Sequence, residues 1–342
     1  MKENKITRRN FLEKSTIATG IAPTGTLGIP NTSSAFTGVL ERLPREVWVA
    51  TVSQMDLTAS SSKEMVNRVL TILEDVAAYQ PDIVCLPEVF ATSNVDQKYS
   101  MNEKIKWSSE ALQQIAKFSE KNNCNTVCSV YTSENGKAYN SAVILDRLGK
   151  RIGEYRKIHP TKGEMEKGVS SGPADPPVFK MDFGIIGAQI CFDILYDDGW
   201  KKLSEQGAEL VFWPSAFAGG KMVNSMCWRN LYPVVSSTRK NTSKICDISG
   251  NQLAATGYWN KNWTCAPVNL ETAILRIWPS VKSFNEIGKK YGRKVQISIS
   301  QEEGWAVIES RSPEIFVKDI LKEFNLKTWN EVILESDEFE EQ

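Results

Sequence analysis

Cys191 stands at the end of a small apolar run, GAQICFDILYDDGW over residues 187–200, and carboxylates follow it. A cysteine in such a place has two readings. It packs as a small hydrophobe, or, with a base beside it, it attacks an electrophilic carbon. The usual base is a histidine, and the chain has one, His159. Two other ionisable residues also end apolar or strand-like stretches: Glu88 after DIVCLP, and Lys157 within EYRKIHP. A carboxylate serves as a thiol base when burial raises its pKa towards neutrality. An ammonium stabilises both a thiolate and a developing oxyanion. Glutamate, lysine and cysteine together can therefore perform acyl transfer without a histidine. Taken singly, Lys157 reads as a surface lysine and Glu88 as a solvated acid; the joint pattern gives them a role.

The elements that must position these residues alternate between strand and helix. EVWVATVSQMD (46–56) reads as a strand, with Val47, Val49 and Thr51 alternating against Trp48, Ala50 and Val52. Met65, Val69, Ile72, Leu73 and Val76 recur at helical spacing, with Ser62 as the expected cap. PDIVCLPEVF is a short buried strand, SEALQQIAKFSEKNN a helix from residue 109, and Asn135-Gly136 turns a hairpin. FGIIGAQICFD and LVFWPSAF read as strands around the helix DGWKKLSEQGAE, and three further strands follow. Strand–helix units mixed with hairpins predict α/β layers around a mixed sheet. Residues 280–342 add two helices and a strand pair, and the acidic ESDEFEEQ reads as a solvated tail.

The bulk composition excludes several classes. Of 342 residues, 41% are hydrophobic and 24% charged, and 41 basic residues balance 41 acidic ones. A net charge of zero argues against nucleic acid or an anionic membrane as the main partner, and no apolar run has the length of a spanning helix. Seven cysteines cannot all pair. Cys124 and Cys128 lack obvious partners for zinc; they read, with Cys85, Cys227, Cys246 and Cys265, as core filler. At the amino end, ITRRNFLEKSTIATGIAPTGTLG has Arg8 and Arg9 before a weakly apolar stretch rich in Gly, Ala and Thr. This is the form of a twin-arginine export signal over residues 1–35, with Ser33 and Ala35 at the positions a signal peptidase reads. It predicts a periplasmic or otherwise exported protein that meets the twin-arginine translocon.

The chain resembles the nitrilase superfamily of carbon–nitrogen hydrolases. CLPEVF is similar to the family's first motif, YRKIHP to its second, and GAQICFD followed by GAELVFWPSAF to its third, over about residues 46–275. The spacings, 69 residues from Glu88 to Lys157 and 34 more to Cys191, suit that family. The resemblance implies a four-layer α-β-β-α sandwich over residues 36–280, with a helical and strand extension over 281–342 packing on the domain or on a partner subunit. It makes Glu88 the general base and acid, Lys157 and the Phe192 backbone N–H the oxyanion stabilisers, and Cys191 the nucleophile. A second glutamate after the lysine falls on Glu164 in HPTKGE, with Glu166 as its rival. His159 is left a structural hydrogen-bonding role. Tyr196, Trp213 and Phe217 flank the motif as candidate pocket walls, and Trp228 reads equally as core.

The expected substrate is a small amide or N-carbamoyl compound, because CFD is similar to the amidase and carbamoylase branches. The alternatives are a nitrilase proper and a non-catalytic binding protein that keeps the fold. Neither cofactor nor metal is required, and a homodimer or larger homo-oligomer is expected. There are departures from the family pattern. Leu195 stands where an arginine is common, Asp197-Asp198 opens the next helix, and NSMCWRNLYPVVSST lacks an expected glutamate. They bear on substrate choice.

Overall fold

The computed structural model describes residues 45–340; the twin-arginine segment lies outside them. Five strands open the fold: β1 (Glu46–Val52), β2 (Ile83–Cys85), β3 (Asn125–Glu134), β4 (Lys137–Leu145) and β5 (Arg151–Arg156). A second sheet holds β6 (Phe179–Lys180), β7 (Ile185–Ala188), β8 (Leu210–Ser215), β9 (Val234–Thr238), β10 (Lys244–Cys246) and β11 (Gln252–Ala255), and β12 (Trp263–Asn269) returns to the first. The orders are β12-β1-β2-β3-β4-β5 and β11-β10-β9-β8-β7-β6, six strands each. In both sheets a parallel centre is edged by antiparallel pairs.

Residue alternation along the strands builds the layers. Val47 and Val49 of β1, Ile83 and Cys85 of β2, and Leu210 and Phe212 of β8 share one buried cluster between the two sheets. Their neighbours Ala50, Val52 and Val84 turn the other way, onto helices α1 (Ser62–Ala77) and α2 (Met101–Asn122). After the short helix α3 (Lys162–Met165), the helices α4 (Asp198–Glu205) and α5 (Lys221–Asn230) cover the second sheet through Trp200, Leu203, Val223 and Met226, packed on Val211, Trp213 and Val234. The result is α-β-β-α, as the resemblance implied. Where β1 meets β9 the two sheets are tied by side chains. Thr51 Oγ1 donates to Ser236 O at 2.6 Å, and Ser237 Oγ donates to Val52 O at 2.7 Å.

Helix starts differ from the sequence reading for local reasons. Ser61 caps α1, its oxygen accepting from Glu64 N–H; Ser62 is buried inside the helix instead. Helix α2 begins at Met101 rather than residue 109, because Ser100 and Glu103 form a reciprocal capping box. β13 (Thr272–Arg276), β14 (Val295–Ser300) and β15 (Trp305–Ser310) make a three-stranded sheet in the order β13-β15-β14. Against it pack α6 (Ile277–Tyr291) and α7 (Val317–Glu323), with Leu275, Ile287, Ile308, Val317 and Ile320 as their core. The acidic run expected as a tail instead ends helix α8 (Trp329–Glu340), which Thr328 and Glu331 cap reciprocally. No helix among the described residues is long and apolar enough to cross a membrane.

Candidate active site

Glu88, Lys157, Glu164 and Cys191 all line one cavity of about 410 Å³. Each arrives on a different element. Glu88 follows β2, and the next residue, Val89, has a left-handed backbone whose N–H donates to Ser129 Oγ at 3.1 Å. Lys157 follows β5. Strand β7 stops at Ala188, and Cys191, with φ +47°, opens a 3-10 turn (Cys191–Leu195). A left-handed backbone at a residue other than glycine is costly and tends to mark sites of function. Here it turns the thiol off the sheet and into the cavity.

The charges are arranged around the lysine. Lys157 Nζ donates to Glu88 Oε1 at 3.0 Å and to Glu164 Oε2 at 2.8 Å. Burial opposes its charge, but Glu88, Cys191 and Glu164 outweigh burial and hold the ammonium above its ordinary value. Glu164 is also buried, which favours its neutral form; Lys157 and the Thr161 N–H prevail and lower it. The T-x-x-E of HPTKGE explains this position, for Thr161 N–H donates to Glu164 Oε2 at 2.8 Å in a capping box. Glu166, the rival, is exposed and lies 3.8 Å from Lys162.

The Cys191 thiol is pushed up to about 11, by burial first and then by Glu88, against Lys157, the Ala216 backbone and Ser215. It therefore rests as a thiol at neutral pH. Glu88 Oε2 is buried without a hydrogen-bond partner among the described residues, and a nitrogen of Arg239 lies 3.7 Å from it. One carboxylate oxygen is thus held by the lysine while the other can accept a proton. That is the arrangement a general base needs.

Two residues that the sequence reading gave no part organise this site. Asn140 Nδ2 donates to both Glu88 Oε1, at 2.8 Å, and Glu164 Oε1, at 2.9 Å. The signal was present in AYNSAVIL, an amide within an apolar strand, but its partners are 52 and 24 residues away. Asp193 is fully buried and ties the lysine's strand end to the cysteine's turn. Its Oδ1 accepts from His159 N at 2.8 Å, and its Oδ2 from Tyr155 OH at 2.7 Å and Ile190 N at 2.9 Å. His159 Nδ1 lies 3.1 Å from the same carboxylate, which raises the imidazole pKa.

The three aromatic residues expected as pocket walls are not among those lining the cavity. Trp213 is fully buried behind it, donating from Nε1 to Cys191 O at 3.1 Å, and Phe217 packs edge-on against Trp213 at 5.3 Å. Tyr196 is half-exposed and stacks on His159 at 3.7 Å. The parity of β8 sends Trp213 to the outer, helix-covered face, away from the cavity. The walls are instead polar, with Tyr131, Asn94, Lys104, Lys167 and Arg239 among them.

Comparison with known proteins places the chain in a family and a fold. The family model for carbon-nitrogen hydrolases matches residues 49–275. A deaminated glutathione amidase of Synechocystis is 36% identical over 93 residues, 25% of this chain and 34% of that protein. An omega-amidase of Xenopus tropicalis is 29% identical over 178 residues, 47% and 61% of the two chains. An N-carbamoylputrescine amidase of Solanum tuberosum is 26% identical over 210 residues, 55% and 65%. The matches thus span less than two thirds of each of these relatives. In solved structures the same fold occurs in an amidase from Nesterenkonia sp., at TM-score 0.59 and 15% identity over 67% of this chain and 93% of that one. It occurs also in Nit3 of Saccharomyces cerevisiae, at TM-score 0.56 and 21% identity over 65% and 90%.

Proposed function

Because the chain belongs to the carbon-nitrogen hydrolase family, we propose that it hydrolyses a small amide or N-carbamoyl compound through a thioester on Cys191. The observation that supports this most directly is the shared cavity. A protonated thiol, a carboxylate with a free oxygen and a charged lysine meet there. Glu88 Oε2 takes the thiol proton as Cys191 Sγ attacks the carbonyl carbon. The oxyanion forms against Lys157 Nζ and the N–H of Phe192, the second residue of the 3-10 turn, where N–H groups have no carbonyl within the turn to bond. Loss of one such donor typically costs about 3 kcal/mol.

Glu88 then returns the proton to the departing nitrogen, the C–N bond breaks, and ammonia or an amine leaves a thioester behind. Water, deprotonated by Glu88, attacks that thioester and frees the acid and the thiol. Glu164 and Asn140 hold Lys157 and Glu88 in place through both half-reactions. The chemistry draws on the protein's own groups. The test is ammonia release from a panel of amides, ureido acids and nitriles. Release from amides or ureido acids, lost in Cys191→Ala, supports the proposal. Turnover of nitriles alone would move the protein to the nitrilase reading, and no turnover of any class would leave a binding protein.

Two further proposals concern the whole chain. Arg8 and Arg9 direct export of the folded protein to the periplasm. The sandwich pairs with a second copy of itself as a homodimer or larger oligomer.

A further inference from the structure

Two cysteines outside the catalytic cavity are placed sulfur to sulfur. Cys227 lies in the last turn of α5 and Cys246 ends β10, and both are fully buried where that helix covers the second sheet. Three contacts seat one face of α5 on β10 and the turn after it. Lys244 Nζ donates to Gly220 O at 2.7 Å, and Asn224 Nδ2 donates to Gly250 O at 2.7 Å and to Cys246 Sγ at 3.8 Å. Cys227 stands three residues beyond Asn224, on the same helix face, and its thiol shares a hydrogen bond with that of Cys246. No other two cysteines among the described residues do so. The two sulfurs differ in how readily they ionise. The Cys227 thiol, and then Lys244, lower the Cys246 pKa against burial, whereas burial, and then Cys246, push Cys227 up. Cys246 is thus the first to become a thiolate, with the Asn224 amide as a second donor to its sulfur. A cysteine that only fills space needs no such partners.

We propose that Cys227 and Cys246 form a redox site, joined as a disulfide by exchange with a protein or small-molecule disulfide in an oxidising compartment. The Cys246 thiolate attacks one sulfur of that donor, breaking its S–S bond and expelling the other sulfur as a thiolate. Cys227, once ionised, attacks Cys246 Sγ, forms the internal bond and expels the donor's remaining sulfur. The pair gives up two electrons and two protons, and the donor leaves with its sulfurs reduced to thiols. Both cysteines are buried, so the exchange waits on local opening of α5 from β10. The bond closes the stretch from α5 through β9 to β10. It thereby fixes the helix whose lead-in from β8 carries Ala216 of the cavity wall. The inference rests on the export proposal only for where the donor is met.

Oxidation of the full chain carrying Cys191→Ala tests it, because that variant takes the catalytic thiol out of the exchange. The reduced protein is held with oxidised glutathione at mildly alkaline pH, in urea below its unfolding transition, and its thiols are then counted after denaturation. Two thiols should be lost. Mass mapping without reduction should find peptides joined through Cys227 and Cys246 and parted by dithiothreitol. With Cys227→Ala added, no internal bond should form. The unmodified chain taken from the periplasm should carry the same bond, and the chain kept inside by Arg8→Lys with Arg9→Lys should lack it. All thiols intact after oxidation, a glutathione adduct on Cys246 that Cys227 never resolves, or a bond between any other two cysteines would overturn the inference. Exported protein with both thiols free would do the same. A chain that is never exported yet forms the bond in glutathione would defeat the export proposal and leave the redox site standing.

Discussion

At the scale of single residues, the protonated thiol decides what each group must do. A cysteine held up at about 11 depends on Glu88 for its activation, so Glu88→Gln should lower turnover by about 10²–10⁴-fold. Cys191→Ala should abolish it. Because the groups act as one unit, the double variant should be little worse than either single one, measured as ammonia release. The same thiol makes a second prediction through alkylation. Iodoacetamide should modify Cys191 in preference to Cys85, Cys124, Cys128 or Cys265, whose pKa values burial raises further. Its rate should climb about tenfold per pH unit from neutrality upward, as the thiolate fraction does. A rate that levels off below pH 8 would mean a preformed thiolate and a different role for Glu88. Glu164 gives a pH dependence of stability. Its folded pKa lies below the ordinary 4.5, so its contribution is present above that value and is lost as pH falls through the folded pKa. Glu164→Gln should therefore flatten the acid limb of an unfolding curve followed by circular dichroism.

At the scale of elements, caps and one buried carboxylate hold the site-bearing segments in place. Ser61 and Ser62 are adjacent and alike in chemistry, yet one caps α1 and the other is buried with its hydroxyl unpartnered among the described residues. Ser61→Ala should cost about 1 kcal/mol, whereas Ser62→Ala should be close to neutral or stabilising, in denaturant titrations. Asp193 is the stronger case. Removing it strands the N–H groups of His159 and Ile190 and leaves the Tyr155 hydroxyl only its longer bond to Gln189 Oε1 at 3.3 Å, all of them around the ends of β5 and β7. Asp193→Ala should cost about 3 kcal/mol or more and should lower activity as well, because Lys157 and Cys191 lose their common anchor. Unchanged stability would show that these segments are positioned by packing alone.

At the scale of the whole molecule, the two stacked sheets do the positioning, with Ser237 and Thr51 bonding across the seam where β1 meets β9. The export proposal belongs to this scale too. Arg8→Lys with Arg9→Lys should leave the protein in the cytoplasm, read by fractionation, and unchanged export would point to another route. Light scattering on the uncleaved chain should give at least twice its 38.3 kDa, and a monomer would refute the oligomer proposal.

What is local was legible in the order of the residues. Period-two alternation set the strand β1, 3.6-residue periodicity marked α1, and the family resemblance pointed to Glu164 after Lys157. Motif spelling picked out Glu88, Lys157 and Cys191, because the types and order of those residues are constrained by the chemistry. The tertiary structure decided what depends on distance across the fold. Asn140 bridges two carboxylates, and Asp193 joins β5 to the turn after β7, through hydrogen bonds between segments 24 to 52 residues apart. Nothing in strand periodicity encodes such partners. The same holds for the cavity walls. Trp213 looked available beside the cysteine motif, but strand parity turned it behind the site, and Lys104, Lys167 and Arg239, unremarkable as single charges in the chain, converged on it. Side-chain direction and local bonding follow from neighbours in sequence; which charges share a cavity follows from how two sheets and their covering helices stack.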